Sequence, residues 1–166
     1  MTSSRTLRVG VLTVSDRSSQ GVRNDSAGPA LAELLISKGW KVEWRAVVPD
    51  EEGEISKVLI AWADTEGADL IVTTGGTGLS PRDVTPEATT AVVHRMVPGM
   101  AEAMRAQSMA KTPHAMISRA VAGIRGQTLI LNLPGSPKGA LENLEVVIPA
   151  LEHAIAKIQG DPAECA

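Results

Sequence analysis

The sequence predicts an α/β fold: a mostly parallel sheet covered by helices on both faces. Three observations point there. Short β-branched and aliphatic runs alternate with stretches of helical periodicity from Leu7 to Gly160. The central run Leu70-Ile71-Val72-Thr73-Thr74 has the length and composition of a buried strand. Aromatic residues make up 2% of the 166 positions, against 43% hydrophobic, so the core must be aliphatic, as suits a parallel sheet under helices.

In chain order, Leu7 to Val14 reads as the first strand, ending in Ser15-Asp16-Arg17 and a polar loop from Ser18 to Ser26. Gly28-Pro29 opens a helix to Ser37, with Leu31, Leu34 and Leu35 at helical spacing, and Gly39 stops it. Trp40 to Val48 is a second strand, closed by Pro49-Asp50. The next helix runs from Glu51 to Thr65, with Ile55, Val58, Leu59 and Trp62 on one face. After the central strand, Thr85 to His94 is helical; Pro98-Gly99 interrupts and Met100 to Met109 resumes. Ala120 to Ile124 and Thr128 to Leu133 form a short hairpin around Arg125-Gly126. Lys138 to Gln159 closes the chain as a long helix, with a tail from Asp161. The length suits one domain spanning 1–166, with an ordered core of about 7–160.

Composition excludes several classes of function. A net charge of −3 and the scarcity of aromatics argue against a nucleic-acid partner. No apolar run is long enough to span a membrane, and the N-terminus lacks a signal-peptide core, so a cytoplasmic protein is expected. The lone Cys165 provides neither a disulfide nor a cysteine zinc site. His94, His114 and His153 fall away from the strand ends, and Met100, Met104 and Met109 read as helix packing.

The chemistry concentrates in Asp69 to Glu87. Gly75-Gly76-Thr77-Gly78 follows the central strand, so the backbone can turn sharply and present N–H groups to an anion. Pro81-Arg82-Asp83 adds a cation and a carboxylate, and Thr85-Pro86-Glu87 reads as a helix start with Thr as N-cap. A P-loop would need Gly-Lys-Ser/Thr where Gly78-Leu79-Ser80 stands, and a dinucleotide fingerprint would need Gly at Pro81. A purely structural turn is the alternative.

Ligands of an open parallel sheet bind beyond the carboxyl ends of its strands. Four such ends supply Ser15 and Asp16, then Asp50, then Gly75 to Asp83, then Asn132, Pro134, Gly135 and Ser136. No nucleophile–base pair is present, which disfavours covalent catalysis of the triad kind. Carboxylates at Asp16, Asp50 and Asp83 facing a phosphate cradle suit a hard cation such as Mg²⁺. Asp16 could equally be a cap or loop contact, and Asp50 a helix N-cap; Asp83, which shares the glycine loop, reads as functional.

The chain resembles the molybdopterin adenylyltransferase family, which includes the bacterial MogA type, its plant counterpart and the G domain of gephyrin. The resemblance runs through Val14-Ser15-Asp16, Val48-Pro49-Asp50, Thr74 to Gly78, Pro81 to Ala88, Ser118-Arg119, Ala122 to Gly126 and Leu131 to Pro137. It implies a three-layer α/β/α sandwich, usually a homotrimer, with much of the contact here expected from Pro98 to Arg125. It implies transfer of AMP from ATP, with Mg²⁺, to molybdopterin, and release of pyrophosphate. The product would pass to a molybdate-inserting enzyme. The catalytic and Mg²⁺-holding residues it implies are Asp50 and Asp83. Those implied for phosphate, pterin or nucleotide binding are Gly75, Gly76, Thr77, Gly78, Pro134 and Gly135, beside Ser15, Asp16, Asn132 and Ser136 from the strand-end reading. Asp25-Ser26-Ala27-Gly28 departs from the Asp-x-Ser-Gly of many relatives. A MoaB-type relative and a non-catalytic pterin-binding or scaffold protein remain alternatives.

Overall fold

The computed structural model describes residues 5–165. Strand β1 (Arg8–Val14) leads through a short helix α1 (Asp16–Ser19) to α2 (Ala27–Ser37) and β2 (Lys41–Val48). Helix α3 (Glu52–Ile60) runs on into a π-helical turn (Ala61–Thr65) before β3 (Leu70–Thr74). Then come α4 (Thr85–Val92), the two-residue β4 (Arg95–Met96), α5 (Pro98–Met109) and a 3₁₀ turn (Pro113–Ile117). The hairpin β5 (Ala122–Arg125) and β6 (Thr128–Leu133) precedes α6 (Pro137–Ile158).

The strands form one sheet in the order β2-β1-β3-β6-β5-β4. β2, β1, β3 and β6 are mutually parallel; β5 and β4 are antiparallel additions at one edge. The expected α/β class and the hairpin are thus present. β4 was not foreseen: two exposed residues are too short a run to carry a strand pattern.

Alternate residues of each central strand feed opposite faces. Val9, Val11, Leu70, Val72, Leu129 and Leu131 pack with Leu31 and Leu35 of α2, Met104 of α5 and Leu144 and Leu151 of α6. Leu12, Ile71 and Ile130 pack on the other face with Ile55 and Leu59 of α3, Trp62 of the π turn, and Ala88 and Val92 of α4. This is the three-layer α/β/α sandwich. Sheet order reverses between β1 and β3: β2 lies on one side of β1 and the rest of the sheet on the other. A crevice opens beyond the carboxyl ends of strands at such a switch point.

Candidate active site

Ser15, Asp50, Gly75 and Pro134 follow the ends of β1, β2, β3 and β6 at one edge of the sheet. The edge is laced together. Thr74 Oγ1 donates to Pro134 O at 2.7 Å, and Gly75 N donates to Leu133 O at 3.2 Å. Gly75 and Gly76 hold φ at +99° and +68°, a region costly for other residues. A Cβ at Gly76 would drive into Thr85 Oγ1 and stand 3.1 Å from Asp50 Oδ1. One at Gly78 would stand 2.9 Å from Asp83 Oδ2. The glycine loop therefore lies directly against both carboxylates. The N–H groups of Gly76, Thr77 and Gly78 have no protein acceptor among the described residues.

Two cavities open at this edge. The larger, of about 460 Å³, runs from Gly76–Gly78 and Asp83 to Arg105, Lys111 and Asn143 between α5 and α6. The smaller, of about 250 Å³, lies over the β1–β3 switch point, against Ser15, Asp25, Ala27 and Gly75. Both are walled by Gly135 and Ser136. Ser136 caps α6 by accepting from Gly139 N at 3.1 Å, so the helix begins at the seam between them.

The carboxylates are not equivalent. Asp50 Oδ2 accepts from Asp16 N at 2.8 Å, and Asp16 Oδ1 accepts from Asp50 N at 2.9 Å. Arg82 clamps Asp16, donating from Nε to Oδ2 and from Nη2 to Oδ1, each at 3.0 Å, and also reaches Glu51 Oε1. Burial raises the Asp50 carboxyl above the ordinary aspartate value; the Asp16 N–H opposes this, and the charges of Asp16 and Asp83 add to it. Arg82, and then the Asp50 N–H, hold Asp16 below that value. Asp83 Oδ2 accepts from Ser80 N at 3.0 Å.

Several expectations change here. Asn132 is fully buried and lines neither cavity. Its side chain lies on the α3–α4 face, where Nδ2 donates to Thr73 Oγ1 and Thr89 Oγ1 and Oδ1 accepts from Val121 N. It is a polar peg in the core. Asp16 lines neither cavity, and both its oxygens accept bonds, from Arg82 and from the Asp50 N–H. Thr85 caps nothing: Val84 is the N-cap of α4, and Thr85 Oγ1 donates to Gly75 O at 2.9 Å, fastening the loop. Glu51, not Asp50, is the N-cap residue of α3, and it makes no side-chain cap bond. The Asp50 carboxylate is therefore not serving that helix.

The family described as "Probable molybdopterin binding domain" matches residues 10–153. The chain belongs to that family. A molybdopterin adenylyltransferase of Helicobacter pylori (strain J99) is 44% identical over 160 residues, covering 95% of this chain and 90% of that protein. A gephyrin of Dictyostelium discoideum is 45% identical over 164 residues; the match spans 93% of this chain but only 23% of gephyrin. Among solved structures, the molybdopterin biosynthesis enzyme MoaB of Thermus thermophilus is 55% identical with a TM-score of 0.89, covering 96% of this chain and 100% of that one.

The departure from the family pattern at Ala27 also acquires a place. Asp25 Oδ1 accepts from Gly28 N at 3.0 Å and Oδ2 accepts from Thr13 Oγ1 at 2.8 Å, which secures the start of α2. Ser26 and Ala27 both border the smaller cavity; Ala27 is buried, while Ser26 is exposed and makes no cap bond. Arg105, Lys111 and Asn143 were missed as cavity residues. They sit on or just after α5 and on α6, away from any strand end, and their polar spacing matches an ordinary solvated helix face.

Proposed function

We propose that this chain is a molybdopterin adenylyltransferase, moving AMP from ATP to the terminal phosphate of molybdopterin with release of pyrophosphate. The observation that carries this reading is the pair of cavities meeting at Gly135 and Ser136, beside a glycine loop with unpaired amides and two carboxylates. A transfer between two bound substrates needs such a junction. An oxygen of the pterin phosphate bonds to the α-phosphorus of ATP as the bond from that phosphorus to the pyrophosphate oxygen breaks. The attacking oxygen is already anionic near neutral pH, so no general base is required. Alignment and charge neutralisation carry the catalysis, and alignment alone can supply roughly 7–11 kcal/mol.

The amides of Gly76, Thr77 and Gly78 would bind phosphate oxygens, and Ser15, Gly75, Pro134, Gly135 and Ser136 would wall the two substrates. Asp50 and Asp83 suit a hard cation. Both offer oxygen donors, and the neighbouring cation Arg82 is already committed to Asp16 and Glu51. No group of three or more His, Cys, Asp or Glu side chains among the described residues could hold a metal by itself. A two-carboxylate site completed by substrate phosphates is the usual manner of Mg²⁺. Bound Mg²⁺ would neutralise charge on the transferring phosphate.

The protein would work in the cytoplasm as a homotrimer and hand its product to a molybdate-inserting enzyme. No helix among the described residues is long and apolar enough to cross a membrane. Met109 and Met116 are exposed and available to a subunit contact, while Met104 is buried in the core and is not.

The test is purified protein with Mg²⁺ and ATP, with and without molybdopterin. Pyrophosphate release and an adenylylated pterin should appear only with the pterin present. Pterin binding without ATP turnover would favour the MoaB-type reading, which the 55% identity to that structure keeps in play.

A further inference from the structure

Arg119 precedes β5, the strand added antiparallel to β6, so it arrives at the same edge of the sheet as the glycine loop. It lines neither cavity at that edge. All its donors turn instead to the loop and to α4. Its main-chain N–H donates to Thr77 O at 2.8 Å. Nε donates to Gly78 O at 2.7 Å and Nη2 to Asp83 O at 2.7 Å. Nη1 meets the Glu87 carboxylate, with Oε2 at 3.0 Å. One residue thus holds the carbonyls of Thr77, Gly78 and Asp83.

The consequence follows from peptide geometry. In a planar trans peptide the C=O of one residue and the N–H of the next point in opposite directions. Fixing Thr77 O toward Arg119 aims the Gly78 N–H away from it, and fixing Gly78 O does the same for Leu79. Gly78 lines the larger cavity, and its N–H has no acceptor among the described residues. Holding Asp83 O sets the backbone from which the Asp83 carboxylate projects. A guanidinium suits this task because its rigid fork serves two carbonyls at once; an ammonium is a point donor without that geometry. The Arg119 segment is itself secured by Arg105, whose Nη1 donates to Ala120 O at 2.8 Å.

We infer that Arg119 is the positioning residue of the transfer site, aiming the Gly78 amide and Asp83 without touching either substrate. The inference rests on the adenylyl-transfer reading of the site. Two variants separate the carbonyl contacts from the ion pair. Arg119→Lys keeps the charge but loses the fork; Glu87→Gln removes the ion pair and leaves the carbonyls bound. Hydrogen exchange of the 75–84 segment in the free proteins and steady-state kinetics on both substrates are the readouts. In Arg119→Lys, exchange of that segment should quicken at least about tenfold, as its anchoring contacts open. Its kcat should fall roughly 30-fold or more, with both KM values within about threefold, the pattern of lost alignment. Glu87→Gln should stay within about twofold of wild type in both measurements.

Wild-type exchange and turnover in Arg119→Lys would overturn the inference. So would a raised KM at unchanged kcat, or Glu87→Gln matching the damage of Arg119→Lys. A wild-type protein that transfers no AMP would sink the functional reading instead, while the exchange arm would still report whether Arg119 holds the loop.

Discussion

The β2–α3 connection ties its aspartate to one residue, Asp16, whereas the β3–α4 connection ties its aspartate to two, Arg119 and Ser80. On the first, the Asp50 carboxylate accepts the Asp16 amide, and Asp16 returns the bond. On the second, Arg119 takes the Asp83 carbonyl and the Ser80 amide takes Oδ2. Asp50 sits behind the glycine loop, at neither cavity wall, while Asp83 is part of the larger cavity's lining. The difference suggests a division of labour. Under the proposed reaction, Asp83 would meet a substrate phosphate or its cation from the cavity wall. Asp50 would serve the same cation from the other side of the loop.

The strongest way to break that comparison is to neutralise each carboxylate in turn. Asp83→Asn should lower kcat by on the order of 10²–10³-fold, because it weakens the hold on the cation that would neutralise the transferring phosphate. Its melting temperature should stay close to wild type, since an amide oxygen can still accept from Ser80 N. Asp50→Asn should cost less, roughly 10²-fold, with pterin affinity retained. If both serve one cation, the double variant should lose much less than the product of the single losses. Fully multiplicative losses would mean the two act independently. A destabilised but fully active Asp50→Asn would remove that residue from the site.

A second measurement sharpens the contrast without relying on turnover. The Asp50 carboxyl is raised by burial first, and the Asp83 charge adds to it. An acid raised on folding contributes stability below its unfolded value and loses that contribution as pH rises through the folded one. Ionised Asp50 is therefore a cost at neutral pH, which a bound cation would relieve. In Asp83→Asn the Asp50 midpoint should move to lower pH, by less than burial displaces it. Carboxyl NMR titration of both proteins would read this directly, and coincident midpoints would show that the two groups do not sense each other.

Much of this edge was legible in the sequence, for a physical reason. Strand ends in a parallel sheet converge on one side, so Ser15, Asp50, Gly75 and Pro134 could be grouped from the order of elements alone. What could not be read was which way each side chain faces. Asn132 lies one residue before the end of β6, and the period-two alternation of a strand sends it to the α4 face. Arg119 was visible only as part of a matching motif. Its use depends on β5 running antiparallel to β6, a pairing that brings residues far apart in sequence to the glycine loop.

Arg82 should have the smallest effect of the residues around the two aspartates. It clamps both Asp16 oxygens, and Asp16 in turn orients Asp50. Yet its side chain is 54% exposed, and exposed ion pairs contribute little to a fold. Asp16 keeps its bond from the Asp50 N–H without it. Arg82→Ala should therefore lower kcat by only about three- to tenfold, through looser aim of Asp50 rather than lost charge contact. Acid stability gives an independent reading. Arg82 is the largest cause holding the Asp16 carboxyl below its ordinary value. An acid lowered on folding contributes stability above its unfolded value and loses it as pH falls through the folded one. Removing Arg82 should then lower stability slightly across the neutral range, where that contribution is present, and the difference from wild type should fade as pH falls through the folded value of Asp16. A loss of kcat approaching that of Asp83→Asn would place the guanidinium on a substrate phosphate instead, and the contrast between the two connections would have to be redrawn around it.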